Sequence, residues 1–315
     1  MFIGRRLILY CFLFFLSIGA LRSQVCDGKK VVLISDALCP EEKFILDFED
    51  NFDGSALDSS KWKIIYGVAR DIEHTNAQQW YSPKNIEVSN GTLKLITKRD
   101  TFINQCYDIW EKNALLHKCE DFFFSAGEID SKEKFSHGKF EMSCKLPRAK
   151  GVGSSFWTYG APPSNEIDIF EFENEYKLFG QYDENKLSKV QRMNSRTDLD
   201  NNGTIEDCPN SYTGIDYSKD FHVFTLIWTP QKLEWYVDGV LKRRSTLFYT
   251  MLGQIVECNG LQMGCEYILN RAFPMNAMSI IVDNIVQSKD KAPDKDTPFP
   301  NNFEIDYIKF YRLVP

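Results

Sequence analysis

The sequence predicts an all-β protein, a sandwich of antiparallel sheets, and three observations carry that prediction. Helical periodicity is scarce along the 315 residues. Short runs that are β-rich or that alternate apolar with polar residues recur instead. Asn-Gly and Asp-Gly dipeptides, which favour two-residue hairpin turns, separate several of these runs. Strands joined in this way bury their apolar faces by packing sheet on sheet.

The strands can be placed individually. Turns are predicted at Asn90-Gly91, Asn202-Gly203 and Asp238-Gly239, and the last of these lies between two apolar runs as in a hairpin. The polar stretch 288–302 is predicted to be a long loop before the final strand. Neither a repeat nor a linker rich in Pro, Gly or Ser divides the chain. The predicted strands are 92–98, 138–146, 221–228, 233–237, 278–282 and 303–313.

The N-terminus is predicted to be a secretory signal covering residues 1–23. Two arginines precede an apolar run at 7–20, which is short for a membrane span. Residues 24–43 then form an N-terminal extension and 44–315 a single domain. A lipoprotein anchored at Cys26 is the alternative, although the bulky Val25 fits such a site poorly. We therefore expect a secreted, extracellular protein without a membrane span, the periplasm or the cell surface being alternatives.

Nine cysteines are present, and removal of the signal takes Cys11 away and leaves an even number. An even number in an exported chain favours disulfides. The close neighbours Cys106–Cys119 and Cys258–Cys265 are the expected pairs, with Cys26–Cys39 holding the N-terminal segment and Cys144 a buried free thiol. Zinc is disfavoured, since there is no C-x-x-C pair and only four histidines are present.

Charge and aromatic content limit the class of ligand. The net charge of −7 argues against nucleic acid or an anionic membrane as a partner. Aromatic residues make up 14% of the chain. Their rings suit both core packing and a groove in which ring faces stack on sugars.

Three acids, Glu166, Asp168 and Glu171, interrupt an apolar run that has the composition of a strand. Burying ionised carboxylates is costly unless they are paired, so the pattern indicates a site rather than a core strand. Side chains alternate faces along a strand, which places Glu171 opposite the other two. A β-bulge at Ile169-Phe170 would bring all three to one face.

Two carboxyls about 5–5.5 Å apart are what a retaining glycosidase needs. Glu128, Asp130 and Glu133 repeat the same spacing, so spacing alone is not decisive. Ser131 and Lys132 stand between the last two of these acids. We therefore interpret this second stretch as a strand end that runs into a solvated turn.

Most of the chain from 48 to 313 resembles glycoside hydrolase family 16, segment by segment and in order. The triad alone would be a moderately specific signal, whereas the whole series is a strong one. The resembling segments are Phe48-Glu-Asp-Asn-Phe-Asp-Gly54 with Trp62, Trp80-Tyr-Ser-Pro-Lys-Asn85, Gly91-Thr-Leu-Lys-Leu95, Ser125-Ala-Gly127, 135–147, Phe156-Trp157, Phe221-His222, Trp228, Val237-Asp-Gly239 and Glu304-Ile-Asp-Tyr307.

The resemblance implies a jelly-roll sandwich of two curved antiparallel sheets with a concave substrate cleft. It also implies retaining, endo-acting hydrolysis of β-linkages in a polysaccharide by the domain at 44–315. By position, Glu166 would be the nucleophile, Glu171 the acid/base and Asp168 the carboxylate between them. Like-charge neighbours would raise the pKa of Glu171 toward the protonated form that donates. Protonated Asp168 could hold ionised Glu166 in place by a hydrogen bond.

Other candidate roles come from the position of residues near the triad and, for Asn85, from the resemblance. Trp157, Asn85 and Trp80 are the candidate substrate-binding residues, with core packing as the alternative for the two tryptophans. His222 is interpreted as structural. Catalysis should require no cofactor. Many relatives carry a structural Ca²⁺, for which Asp306 and the segment 49–54 offer weak candidate ligands, and the metal site is otherwise unknown.

The substrate is less determined than the reaction. The approach to the triad, Ala161-Pro-Pro-Ser-Asn165, lacks the Trp-Pro-x-x-Gly stretch usual in laminarinases of the family, and no histidine lies between Glu171 and Phe221. The bulged triad favours β-1,3-glucan, of the laminarin type, as the substrate. Alternatives are a galactan (agar, porphyran or carrageenan), transglycosylation, and a non-catalytic polysaccharide-binding protein on the same fold. We expect a monomer.

Overall fold

The computed structural model describes residues 28–34, 39, 41–68, 77–111, 114–160, 164–174, 177–178, 181–199 and 204–314. The predicted signal peptide, Cys26 and the Asn202-Gly203 turn lie outside these residues. The N-terminal extension is described in part. The division of the chain at residues 23 and 43 stays a prediction.

Strands dominate the described residues, and the helices among them are short 3-10 turns at Pro83–Asn85, Glu184–Lys186, Cys258–Gly260 and Lys289–Lys291. In chain order the strands are β1 (Gly28–Val32), β2 (Lys43–Asp50), β3 (Trp62–Ile64), β4 (Gln79–Tyr81), β5 (Ile86–Ser89), β6 (Thr92–Glu111), β7 (Ala114–Ala126), β8 (Glu128–Phe135), β9 (Gly138–Lys145), β10 (Val152–Gly160), β11 (Asn165–Phe172), β12 (Lys177–Leu178), β13 (Gln181–Tyr182), β14 (Val190–Thr197), β15 (Glu206–Asp207), β16 (Asn210–Thr213), β17 (His222–Trp228), β18 (Lys232–Val237), β19 (Val240–Thr246), β20 (Phe248–Tyr249), β21 (Glu266–Asn270), β22 (Met278–Val286) and β23 (Asn301–Val314).

Two large sheets form the body of the protein. Sheet I has the order β15-β14-β11-β10-β22-β8-β3, with β16 also paired to β14. Sheet II has the order β19-β18-β17-β9-β23-β6-β7-β4, with β2 on β23 and β5 on β6. A small sheet, β1-β21-β20, and the pair β12-β13 complete the set. This architecture confirms the predicted all-β sandwich.

The main hydrophobic core contains buried residues from both sheets. Phe170 of β11 lies 4.6 Å, ring centroid to ring centroid, from Phe224 of β17 and 6.1 Å from Phe303 of β23. Such offset and edge-on aromatic pairs pack large apolar area at close range. The strand that carries the acidic triad is therefore anchored against sheet II by its apolar face.

The two hairpin turns inside the described residues adopt the backbone that the sequence predicts. Asn90 and Gly91 have φ angles of 55° and 72°, and Asp238 and Gly239 have 50° and 73°. Positive φ at both central positions is the type I′ requirement, which Asn, Asp and Gly meet at low cost. These turns connect β5 to β6 and β18 to β19.

The six predicted strands are all present, but β6 runs much further than predicted. It continues to Glu111 and pairs with β7 in a long hairpin. Cys106 and Cys119 are direct cross-strand partners in this hairpin and form the predicted disulfide. Cys144 is a buried free thiol, as predicted.

The other two predicted disulfides are wrong. Cys258 is bonded to Cys39, with 219 residues of sequence separation and 5.6 Å between the Cα atoms. Cys265 is an exposed free thiol. The physical reason is that β1 pairs with β21, which brings the N-terminal segment beside the loop that holds Cys258. Cys39 is consequently not available to Cys26, nor Cys258 to Cys265.

Candidate active site

The bulge predicted in β11 is present, and the pairing with β14 locates it. Asp168 is opposite Asn194, whereas Glu171 is opposite Arg192. Three steps along β11 thus match two steps along β14, so β11 contains one extra residue between the two acids. This irregularity is the one that the E-x-D-x-x-E spacing requires.

Pairing with β10, on the other side, identifies the extra residue. Phe156 is opposite Phe170, and the next residue, Trp157, is opposite Asp168, so Ile169 is skipped. Both Ile169 and Phe170 are buried in the core. Two consecutive residues on the core side return Glu171 to the face away from sheet II, which we call the outer face of sheet I.

Direct cross-strand partners share a face, so the register defines three rows of side chains on the outer face. Each row contains one acid of the triad, and the rows follow one another along β11. The rows are Glu128, Asp283, Ser155, Glu171, Arg192; then Asp130, Ile281, Trp157, Asp168, Asn194; then Tyr159, Glu166, Arg196, Asp207. The structure therefore brings the predicted triad together on one surface.

Asp168 is the most buried member, with 4% of its surface exposed. Burial raises the pKa of Asp168 well above its ordinary value, and the carboxylates of Glu171 and Glu166 raise it further. Arg196 and a hydrogen bond from the Asn194 amide act in the opposite direction without reversing the shift. A carboxyl of this kind is held protonated at higher pH than usual, and it can then donate a hydrogen bond.

Glu166 lies beside a guanidinium. The Nη1 atom of Arg196 is 3.6 Å from Glu166 Oε1, and its Nε atom is 3.0 Å from Asp207 Oδ1. The Glu166 side chain is 16% exposed, so it is accessible but partly shielded from water. A nearby positive charge favours the ionised form of a carboxyl. Arg196 thus acts on both acids, but burial outweighs it at Asp168.

Among the predicted substrate contacts, Trp157 lies next to the triad. It faces Asp168 across the strand pair and is 7% exposed. Its ring is edge-on to Tyr159, with centroids 6.1 Å apart. The two aromatic residues follow β10 on the outer face, parallel to the acids. A contact between Trp157 and a sugar stays a prediction.

The prediction that Trp80 is a stacking platform is wrong. Its side chain is 4% exposed and is enclosed by Tyr66, Phe102 and Phe122, with ring centroids 5.1–6.0 Å away. A ring buried in this way has no free face for a sugar. Trp80 instead packs the base of the long β6–β7 hairpin.

Asn85, too, is buried rather than placed to contact substrate. Its amide nitrogen donates to the carbonyl of Ile96 at 2.7 Å and to Ser125 Oγ at 3.0 Å. Both amide hydrogens are therefore committed to internal bonds, and the residue is 1% exposed. The predicted substrate contact is wrong, because the side chain holds the connection between β4 and β5 instead.

The second acidic stretch is not a solvated turn, contrary to the sequence interpretation. It forms β8 within sheet I, and Glu128 is buried on the outer face opposite Asp283. Tyr81 donates from its hydroxyl to Asp283 at 3.2 Å. Glu133 is exposed, as expected. Glu128 and Asp283 thus continue the Glu171 row across the sheet.

His222 is structural, as predicted. Its Nδ1 lies 2.8 Å from Asp238 Oδ2, and Tyr217 packs edge-on against its ring at 5.1 Å between centroids. It belongs to β17 of sheet II. The side chain has no part in the three rows described above.

Asp50, in the segment suggested for calcium, does not fit a calcium ligand, while the suggestion of Asp306 stays a prediction. In the segment 49–54, Asp50 accepts hydrogen bonds from the Trp62 indole at 2.8 Å and from the Phe52 amide at 3.0 Å. Lys61 Nζ lies 3.9 Å from the same carboxylate. Calcium needs several oxygen ligands without a competing ammonium group. The carboxylate is used to fix the loop between β2 and β3.

Sequence reasoning missed the contribution of β14. Arg192, Asn194 and Arg196 occupy alternate positions in this strand, and each faces one of the three acids. Alternation of polar side chains with buried residues marks a strand with one solvated face. The pattern is visible only in the structure, because the inward-facing residues Gln191, Ser195 and Thr197 are polar as well.

Comparison with known proteins agrees with this geometry. The signature of "Glycosyl hydrolases family 16" matches residues 73–254, more than half of the chain. The chain is 26% identical over 279 residues to a glucan endo-1,3-beta-glucosidase of Cryptopygus antarcticus, across 84% of this chain and 91% of that protein. It is 23% identical over 295 residues to a kappa-carrageenase of Pseudoalteromonas carrageenovora, across 87% and 66%.

The fold has solved counterparts. The structure of an endo-β-1,3-glucanase from Pyrococcus furiosus superposes with a TM-score of 0.63 at 24% identity, covering 89% of this chain and 99% of that one. This likeness concerns the fold, and it confirms the expected jelly roll. The chain belongs to glycosyl hydrolases family 16 and is a jelly-roll glycoside hydrolase that acts on internal glycosidic bonds.

Proposed function

We propose that the protein is a retaining endo-β-1,3-glucanase, with Glu166 as nucleophile, Glu171 as general acid/base and Asp168 as the carboxyl between them. One observation carries this assignment: the bulge at Ile169-Phe170 places all three acids on the outer face of sheet I. We expect the carboxyls of the two glutamates to lie about 5–5.5 Å apart around a bound sugar, the separation of retaining enzymes.

The environments of the acids support these roles. In the first step Glu166 attacks the anomeric carbon, the bond to the leaving oxygen breaks, and Glu171 gives that oxygen its proton. In the second step Glu171 takes a proton from water, whose oxygen displaces Glu166 from the sugar. Arg196 beside Glu166 favours the ionised nucleophile. Asp168, whose pKa is raised by burial, can donate a hydrogen bond to it.

A neutral glucan suits the charges around the triad better than a sulfated galactan does. Arg192 is paired with Glu173, and Arg196 lies against Glu166 and Asp207. Neither guanidinium therefore offers an uncompensated charge to a sulfate ester, while the acids of the triad would repel one. Similarity to the endo-1,3-beta-glucosidase named above points the same way.

A carrageenan-type galactan is the second candidate, because the similarity to the kappa-carrageenase spans a comparable share of this chain. The test is a panel of laminarin, κ-carrageenan, agarose and porphyran, assayed for new reducing ends and for product size. Release from laminarin with oligosaccharide products supports the proposal. Release from carrageenan alone would make the galactan the substrate. No release from any of the four polysaccharides would favour a non-catalytic binding protein.

Substitution of the acids tests their roles. Glu166→Ala should abolish hydrolysis, and added azide should then give an α-glycosyl azide from an activated β-glycoside. Glu171→Ala should give the β-glycosyl azide through the covalent intermediate. The control is Glu133→Gln, an exposed acid from the other E-x-D-x-x-E stretch, which should keep full activity. Retained hydrolysis in Glu166→Ala would overturn the assignment.

We also propose that the protein is exported, that it is a monomer and that catalysis requires no cofactor. No helix among the described residues is long and apolar enough to cross a membrane. N-terminal sequencing of material from the culture medium tests cleavage near residue 23, and light scattering tests the monomer. Activity after exhaustive treatment with EDTA tests the cofactor, and an unchanged melting temperature would exclude the structural Ca²⁺.

A further inference from the structure

Two consecutive carbonyls of the bulge accept hydrogen bonds from buried side chains. The Trp235 indole donates from Nε1 to the carbonyl oxygen of Asp168 at 2.9 Å. The Gln191 amide donates from Nε2 to the carbonyl oxygen of Ile169 at 3.0 Å. Both donors are fully buried. A bulge disrupts the ladder locally, and buried carbonyls need partners, so these bonds stabilise the irregular backbone.

The two donors reach the bulge from different elements. Trp235 belongs to β18 of sheet II, so its indole crosses the core to sheet I. Gln191 belongs to β14, the neighbour of β11, one residue before the Arg192 that faces Glu171. The bulge is thus held from the opposite sheet and from the adjacent strand at once.

A buried arginine fixes the indole in turn. The guanidinium of Arg243 lies 4.3 Å from the Trp235 ring, and its Nη1 donates to the Met193 carbonyl of β14 at 2.8 Å. Burial lowers the pKa of Arg243 to about 10, which leaves it cationic at neutral pH. Cation–π contacts are strongest where water is excluded. Sheet II therefore holds both the bulge and the strand beside it.

We propose that Trp235 and Gln191 are positioning residues that fix the bulge and thereby set the direction of Glu171 relative to Glu166. This rests on the proposed function of the two glutamates. Loss of either donor removes a hydrogen bond from a buried carbonyl of the bulge, and the bulge relaxes toward other backbone arrangements. Misplacement of a catalytic group by about 1 Å costs roughly 100-fold in rate. The surface that binds the polysaccharide is unchanged, so KM should change little.

The experiment compares Trp235→Phe with Trp228→Phe. Trp228 is also fully buried in sheet II, but its Nε1 makes no hydrogen bond within the described part of the chain. The two substitutions remove the same atoms. They differ in the indole bond to Asp168 and in the ring that Arg243 contacts, and phenylalanine still offers a ring face to a guanidinium. We expect kcat of Trp235→Phe to fall roughly 10- to 100-fold below that of Trp228→Phe, with KM within about threefold.

Gln191 provides an independent comparison should Trp235→Phe not fold. Gln191→Met keeps the size and loses the donor, and we expect the same fall in kcat. Gln191→Glu should keep more activity than Gln191→Met, because a buried carboxyl tends to stay protonated and can still donate. Rescue by the glutamate would not follow from a role in packing alone.

Rates are measured on whichever polysaccharide the wild type cleaves, so an error in the substrate proposal does not affect this comparison. A crystal structure of each variant gives a readout besides activity, the register of Glu171 against Arg192. Equal kcat values for Trp235→Phe and Trp228→Phe, within about twofold, would overturn the proposal, as would equal values for Gln191→Met and the wild type. Wild-type inactivity on all chains would instead refute the proposed function.

Discussion

Arg196 Nη1 lies 3.6 Å from Glu166 Oε1, which places a positive charge beside the proposed nucleophile. The two residues are direct cross-strand partners on β14 and β11. Arg192, the cross-strand partner of Glu171, is instead paired with Glu173. The Arg196 side chain is 37% exposed, so solvent screens part of the interaction. The guanidinium should nevertheless favour the ionised form of Glu166.

We therefore predict that Arg196→Gln loses activity at the acidic end of the pH range in which the wild type is active. Without the guanidinium the pKa of Glu166 rises, so the acid limb of kcat/KM moves to higher pH. We expect activity at pH 5, relative to pH 7, to fall roughly threefold to tenfold. The control is Arg244→Gln, which breaks ion pairs with Glu234 of sheet II and with Glu257 in the loop before Cys258. A superimposable pH profile for Arg196→Gln would contradict the assignment.

Asp168→Asn should stabilise the folded protein at neutral pH, although it should also slow catalysis. The folded-state pKa of Asp168 lies above its unfolded value, so its effect on stability is most favourable below about pH 4 and is lost as the pH rises through the folded pKa. An amide avoids that loss. We expect a melting temperature a few degrees higher at pH 7 but not at pH 3.5, by calorimetry at both values.

The same variant should lose activity by roughly 10- to 100-fold, because the amide can donate to Glu166 but cannot release a proton. That fall is far smaller than the loss expected for Glu166→Ala. A melting temperature that drops at pH 7 would show that Asp168 is ionised and favourably paired in the folded state.

The bulge could be predicted from sequence because the spacing permits few solutions. Glu166, Asp168 and Glu171 share a face only if one extra residue is inserted, and Ile169-Phe170 is where two apolar residues adjoin. Hairpin turns were predictable for a similar reason, since the φ angles at Asp238 and Gly239 are a local requirement. Features of this kind are determined by a few neighbouring residues, so the sequence alone predicts them.

Features that depend on segments distant in the sequence could not be predicted from local patterns. Glu128 looks like the start of a solvated stretch until Asp283, which accepts a hydrogen bond from Tyr81, is known to lie beside it in the sheet. The bond from Trp235 to Asp168 joins strands 67 residues apart. The Cys39–Cys258 disulfide spans 219 residues, so proximity in sequence favoured the wrong partner. Each of these is fixed by the sheet order rather than by composition.

The disulfides Cys39–Cys258 and Cys106–Cys119 should contribute unequally to stability. Cys39–Cys258 closes a far longer loop than Cys106–Cys119, whose residues are 13 apart in a hairpin. Loop entropy gives about 3 kcal/mol for a loop of roughly 15 residues and more than about 4.7 kcal/mol beyond roughly 100 residues. Calorimetry should show a larger fall in melting temperature for Cys39→Ser/Cys258→Ser than for Cys106→Ser/Cys119→Ser. The reverse order would contradict the loop argument.

The two free thiols of the described residues should differ sharply in reactivity. Burial raises the pKa of Cys144, which lies within β9, whereas Cys265 is exposed. The thiolate is the reactive form, so both access and ionisation protect Cys144. Iodoacetamide at pH 8 should modify Cys265 in the native protein and Cys144 only after unfolding, as peptide mass spectrometry would show. Cys265→Ser is the control, since it removes the native label at this position. Rapid native labelling of Cys144 would mean that the interface between β9, β17 and β23 opens far more often than its packing indicates.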